Sequence, residues 1–163
     1  MPHAEASTSS GAGVKAGWFA VLLLALVYPG ASAMAADCKS MPAPQVNWED
    51  CTKSNIVMRG AKLGGATLAG GDFTLTDLRD ADLRQADLQK ATLVRSSLAG
   101  ANAAGANFGR AEAYRTSFAG MQADGASFAG AELQRADFSG AILANANFEK
   151  AELGRASFEK SRL

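Results

Sequence analysis

Four arginines stand at a fixed interval of twenty residues: Arg95, Arg115, Arg135 and Arg155. Three glutamates, Glu112, Glu132 and Glu152, keep the same interval, each three residues before an Arg. A guanidinium presents a planar fork of donors that pairs bidentately with carboxylate or phosphate. A regular row of them therefore suits an acidic protein partner, a carboxylate-rich polymer or a phosphate. The same two rows also suit mutual neutralisation, since stacked like charges repel and a neighbouring opposite row relieves them. Exposed pairs of that kind are worth about 0–1 kcal/mol each. Tyr114 stands beside the Arg row and has a ring face for a sugar or an arginine. The spacing alone admits both readings.

Other chemistry is thin. The single histidine is His3, and the two cysteines are Cys38 and Cys51. No Gly-rich phosphate loop precedes a helical pattern, and no carboxylate pair stands out as an acid/base couple. The Asp and Glu residues recur with a repeat, so they read as supports for turns and as solubilising positions. No enzyme activity, cofactor or metal is expected. The chain has 16 basic and 16 acidic residues. That balance removes the simple electrostatic case for binding nucleic acid.

The first 35 residues differ in kind. Lys15 precedes an apolar run, "GWFAVLLLALVY" (17–28), followed by Pro29, Gly30 and "ASAMAAD" (31–37). This is the layout of a secretory signal peptide, with cleavage after Ala35 or Ala33. The run is too short for a bilayer, which needs about 20 apolar residues. Asp37 sits where lipid attachment at Cys38 would need a small residue. The expectation is an exported protein, periplasmic or secreted, with no stable membrane span after cleavage. In that setting Cys38 and Cys51 are expected to form a disulfide, worth about 3 kcal/mol on the entropic model.

The elements that position these residues follow from a period of five, as in "AELQRADFSGAILANANFEKAELGRASFEK" (131–160). On an α-helix five residues advance about 500°, which smears an apolar set over every side. On a flat strand an odd period flips each successive side chain to the opposite face. The pattern works when the chain turns a corner every five residues, so that four corners close a coil of twenty. From Leu63 to Leu163 the central position recurs 21 times, as Leu in eleven cases, Phe in seven and Ala in three. Two residues earlier the residue is Ala in 15 of the 21, so a small side chain accompanies each large one. The expected core is Leu63, Leu68, Phe73, Leu78, Leu83, Leu88, Leu93, Leu98, Phe108, Phe118, Phe128, Leu133, Phe138, Leu143, Phe148, Leu153 and Phe158.

The run A-[DNSTE]-[LF]-x-x over residues 61–163 resembles the pentapeptide-repeat family. The resemblance implies an all-β fold, a right-handed quadrilateral β-helix of about five coils. It divides the chain into a leader (1–35), an N-terminal lid with the disulfide (36–60) and the β-helix (61–163). The family's best-known activity is mimicry of DNA that protects a topoisomerase. Such mimicry needs a strongly acidic rod, and this chain is neutral and carries a leader.

Departures from the pattern are readable. Gly71 accompanies Phe73, and Met121 accompanies Ala123, which conserves volume in a narrow core. Ala111 with Ala113 has no such compensation, so a pinched coil is expected there. "ANFGRAEAYRTSF" (106–118), "ASFAGAELQRADF" (126–138) and "ANFEKAELGRASF" (146–158) are versions of one unit, as if whole coils had been copied. The twenty-residue coil places the Arg and Glu rows in two columns on one side of the solenoid. Open solenoid ends need covers. Trp48 and the disulfide are expected to lid the first coil, and the last coil to pair with a second copy in a homodimer. The expected role is a rigid interaction module for a protein partner of unknown identity.

Overall fold

Every fifth residue from Gln45 to Lys160 has a positive φ, between 55° and 70°. Nine of these are Gly and fifteen are not, so the corner is imposed by the stack and not by glycine alone. At the corners from Met58 onward the carbonyl of the central residue accepts the N–H three residues on, as Leu63 does from Ala66 at 3.1 Å. A four-residue turn with φ above zero only at its third residue is of type II. In the computed structural model, residues 35–163 are described. The leader assigned to 1–35 lies outside them, save for Ala35.

Between corners the chain is extended for a single bridged residue. Each such residue pairs in parallel with the one twenty positions on, from Asn47 with Thr67 to Ile142 with Arg162. Four sets of bridges therefore run the length of the stack. We call them face 1 (Asn47 through Asn147), face 2 (Thr52 through Glu152), face 3 (Val57 through Ser157) and face 4 (Lys62 through Arg162). The ladder starts one coil before the boundary read from the sequence: Asn47, Thr52 and Val57 lie within the segment 36–60 assigned to the lid. Trp48 and Met58 fill central positions of this first coil, both buried. The lid proper is the short stretch before it.

The core takes one central side chain per face per coil, with the small residue two positions earlier packed beside it. The central residues from Leu63 to Leu143 are buried, Ala103, Ala113 and Ala123 among them. Phe148, Leu153 and Phe158, in the last described coil, are partly buried and pack against this core. Phe rings form two stacked columns. Phe108, Phe128 and Phe148 stack at 4.8 and 4.9 Å on face 1, and Phe118, Phe138 and Phe158 at 4.7 and 5.0 Å on face 3. Across the core the two columns meet edge to face, at 5.4–5.9 Å. Both geometries suit the ring quadrupole. A Cβ on Gly71 would meet Phe73 Cε2 at 2.7 Å, which is why Gly accompanies that ring. Met121 and Ala123 are both fully buried, the reverse exchange. Beside Ala113 the turn bond from Thr116 N–H lengthens to 3.3 Å, against 3.0–3.1 Å at the corners on either side.

The N-terminal cover is tied down four ways. Cys38 and Cys51 form a disulfide. Trp48 Nε1 donates to Ser40 Oγ at 2.8 Å. Lys53 occupies a central, inward position, and its ammonium donates to the carbonyls of Cys38 (2.8 Å) and Ser40 (3.4 Å). The same ammonium lies 3.8 Å from the Trp48 ring centroid, a cation–π contact. Burial lowers the Lys53 pKa, and Asp37 acts against that.

Candidate functional site

The Arg row occupies one edge, the corner between faces 2 and 3. Its residues in order are Asn55, Leu75, Arg95, Arg115, Arg135 and Arg155, all with positive φ. They are in register because each corner N–H reaches the next coil: Arg95 to Tyr114 O at 3.0 Å, Arg115 to Gln134 O at 3.1 Å, Arg135 to Gly154 O at 2.9 Å. The turn holds the backbone and aims each side chain outward, so all four arginines are exposed. Arg115 lies over the Tyr114 ring, 5.2 Å from its centroid.

The Glu row is the ladder of face 2. Glu112 pairs with Glu132 and Glu132 with Glu152, while Asp72 and Thr92 extend it toward the first coil. All three glutamates are exposed. Among the described residues no ion pair joins the two rows. The ion pairs lie elsewhere: Arg59 with Asp80, Arg79 with Asp77, Arg84 with Asp82, Lys150 with Glu149 and Lys160 with Glu159. Glu152 instead accepts from Gln134 Nε2 at 2.5 Å.

The shorter acids behave differently. Asp72, Asp87 and Asp137, like Asn107 and Asn147, accept the backbone N–H two residues on at 2.8–3.0 Å. These are Asx turns that brace the corner. Glutamate is one methylene longer and makes no such bond here, so the acidic bridge positions split into backbone braces (Asp) and exposed surface charge (Glu). Asp77 and Asp82 do both. Each braces a turn and receives an arginine fork, Asp82 from Arg84 Nε at 2.8 Å and Nη2 at 2.7 Å. The hydrogen bonds from Arg79 and Arg84 hold these two carboxyls down at about 2.

Sequence reading missed two features. Lys53 in an inward position hid the first coil, although counting the register back from Leu63 leads through it to Trp48. The second is a set of apolar residues on the outside: Met41, Ile56, Val57 and Leu75 are 80%, 39%, 76% and 50% exposed. The register marks 57 and 75 as outward positions, so this signal was present. Met41, Ile56 and Val57 line one depression together with Trp48 and Arg59.

The pentapeptide-repeat model matches residues 57–95, 91–130 and 124–159, with eight copies. A comparison with curated proteins finds no match. Among solved structures, the chain is similar to the pentapeptide repeat protein Rfr23 of the cyanobacterium Cyanothece 51142, at 18% identity and a TM-score of 0.52. That match covers 73% of this chain and 88% of the other. HetL of Nostoc sp. strain PCC 7120, involved in heterocyst differentiation regulation, matches at 24% identity and a TM-score of 0.39, over 76% of this chain and 81% of its own. QnrB1, a plasmid-mediated fluoroquinolone resistance protein, matches at 18% identity and a TM-score of 0.42, over 74% and 80%. Family fold, bridge register and repeat agree, and the chain belongs to the pentapeptide repeat family.

Proposed function

We propose that the protein is an exported, non-enzymatic scaffold that presents the rigid sides of its β-helix to a protein partner. The observation that carries this reading is the unbroken register: identical outward positions recur in columns, so any surface feature repeats at fixed spacing on a stiff support. The Asp residues of the bridge positions are occupied in bracing turns, and the Glu residues there recur as exposed charge. The leader in the sequence and the Cys38–Cys51 bridge support export. A second reading, binding of an anionic envelope polymer, is favoured by the exposed arginines, which no carboxylate among the described residues engages. DNA mimicry is a poorer fit, because the face 2 acids lie beside arginines instead of forming a continuous acidic surface.

The test uses the full chain expressed with its leader. Mass spectrometry of the purified protein is expected to show loss of residues 1–35 or 1–33; an intact leader on a cytoplasmic protein would overturn export. Crosslinking in envelope extract is then compared between this protein and a variant with Arg95, Arg115, Arg135 and Arg155 changed to Asn, which suits the corner φ. A protein captured by the first and lost by the second supports the scaffold. Capture of a polymer, lost steeply as salt rises, supports the second reading.

A further inference from the structure

We infer that the edge between faces 2 and 3 is a docking strip for an extended, acidic polypeptide segment that carries apolar residues at one end. The inference rests on the scaffold reading and specifies the partner.

The apolar end is built from residues that the fold does not ask for. Among the described residues, Leu75 is the sole apolar side chain of the fifteen non-Gly positions with positive φ; the others are Asn, Asp, Gln, Lys or Arg. A left-handed corner disfavours leucine, and half of this one is in water. Val57 holds an outward bridge position that is Asp or Ser in every coil stacked above it: Asp77, Ser97, Ser117, Asp137, Ser157. Neither packing nor backbone geometry accounts for these choices. Val57 lines one depression with Met41 and Ile56, and exposed apolar surface of this kind marks an interaction site.

The cationic run continues the same edge. Leu75 N–H reaches Val94 O at 3.0 Å, the residue before Arg95, so the leucine stands one coil from the first arginine. At ~4.8 Å per coil the four arginines span about 14 Å, the length of four or five extended residues. An extended segment of about eight residues thus covers both parts, with acids over the arginines and apolar side chains over Leu75, Val57 and Met41. The Glu ladder repels such a segment from the face 2 side. On the face 3 side Ser97 and Ser117 stand beside Arg95 and Arg115, and Asp137 beside Arg135, so the approach is least acidic at the two arginines nearest Leu75.

The arrangement selects among partners. A uronate or phosphate polymer would use the arginines and leave the apolar end in water. A bilayer would use the apolar residues with Lys39 and Arg59, which line the same depression, and leave the arginine column that runs away from it unused. An acidic chain with an apolar end satisfies both parts at once.

The experiment is fluorescence anisotropy on the full chain with synthetic probes. One peptide has a Leu-Val-Leu start followed by alternating Glu and Ser, and a second has Ser in place of its three apolar residues. Oligogalacturonate and phosphatidylglycerol vesicles serve as the other probes. The first peptide is expected to bind at least about tenfold more tightly than the second, the scale of one or two buried aliphatic side chains. The double variant Leu75→Asn, Val57→Ser is expected to erase that difference, and Arg115→Asn with Arg135→Asn to weaken both peptides. Asn favours the corner, so loss of folding does not explain loss of binding. Equal affinity for the two peptides, no binding of either, or tighter binding of oligogalacturonate or vesicles would each overturn the inference. If the Leu75/Val57 variant still crosslinks a partner in extract, the scaffold reading stands and this strip falls. If neither protein captures any partner, the scaffold reading falls first.

Discussion

Two corners of the same solenoid solve one backbone problem with opposite residues. Between faces 3 and 4 the corner positions are Gly60, Asp80, Gly100, Gly120, Gly140 and Lys160, mostly glycine. Between faces 2 and 3 there is no glycine: Asn55, Leu75 and then four arginines adopt the same φ. A non-Gly residue in this region costs about 1–3 kcal/mol, partly offset by the extra unfolded-state entropy that glycine would bring. The glycine corner is therefore tuned to the turn, while the arginine corner sacrifices stability for what projects from it. That difference is what the proposed docking role of the arginine edge expects.

Substitutions that exchange the two solutions test the comparison. The largest effect is expected for Gly120→Val and Gly140→Val. A Cβ at either site meets nothing within 4 Å, so the loss is backbone strain alone. Each should lower stability by about 2 kcal/mol in chemical denaturation. The mirror exchange, Arg115→Gly or Arg135→Gly, should raise stability by about 1 kcal/mol while weakening any anionic partner. A loss of stability on removing these arginines would mean that they hold the fold and not a partner. The smallest effect concerns acid. The Arg79 and Arg84 forks depress the folded pKa of Asp77 and Asp82 to about 2, below the unfolded value. Their stabilisation is fully present above pH ~4 and is lost as pH falls from ~4 toward 2. The double variant Asp77→Asn, Asp82→Asn keeps the turn-bracing oxygen and should flatten this part of the melting-temperature profile.

Much of this molecule is legible from spacing. The period of five admits one simple solution, a corner at each repeat, and it also assigns the inward Leu and Phe residues and the Gly71 and Met121 exchanges. The start of the first coil is not legible in the same way, because Lys53 takes a slot where the pattern asks for Leu. The carbonyls of Cys38 and Ser40, the Trp48 ring and the charge of Asp37 make that ammonium acceptable there. The two charge rows were found by counting, but their relation was not. Whether Arg meets Glu depends on where a corner aims a side chain, and in three dimensions the rows stand side by side without pairing. Asp and Glu look interchangeable in the repeat, yet one methylene decides whether the acid reaches the backbone N–H two residues on.

The bridge register has a kinetic consequence. Every bridge in the solenoid joins residues twenty apart, however many coils the chain contains. The entropy of closing each loop is therefore the same for the last coil as for the second. Adding a coil lengthens the protein without lengthening any loop that must close, so relative contact order falls as the chain grows. Assembly can then proceed as a zipper from whichever coil forms first. The disulfide, Trp48 and Lys53 hold the coil nearest the N-terminus, the end that a ribosome releases first. Each later turn finds a finished template waiting below it.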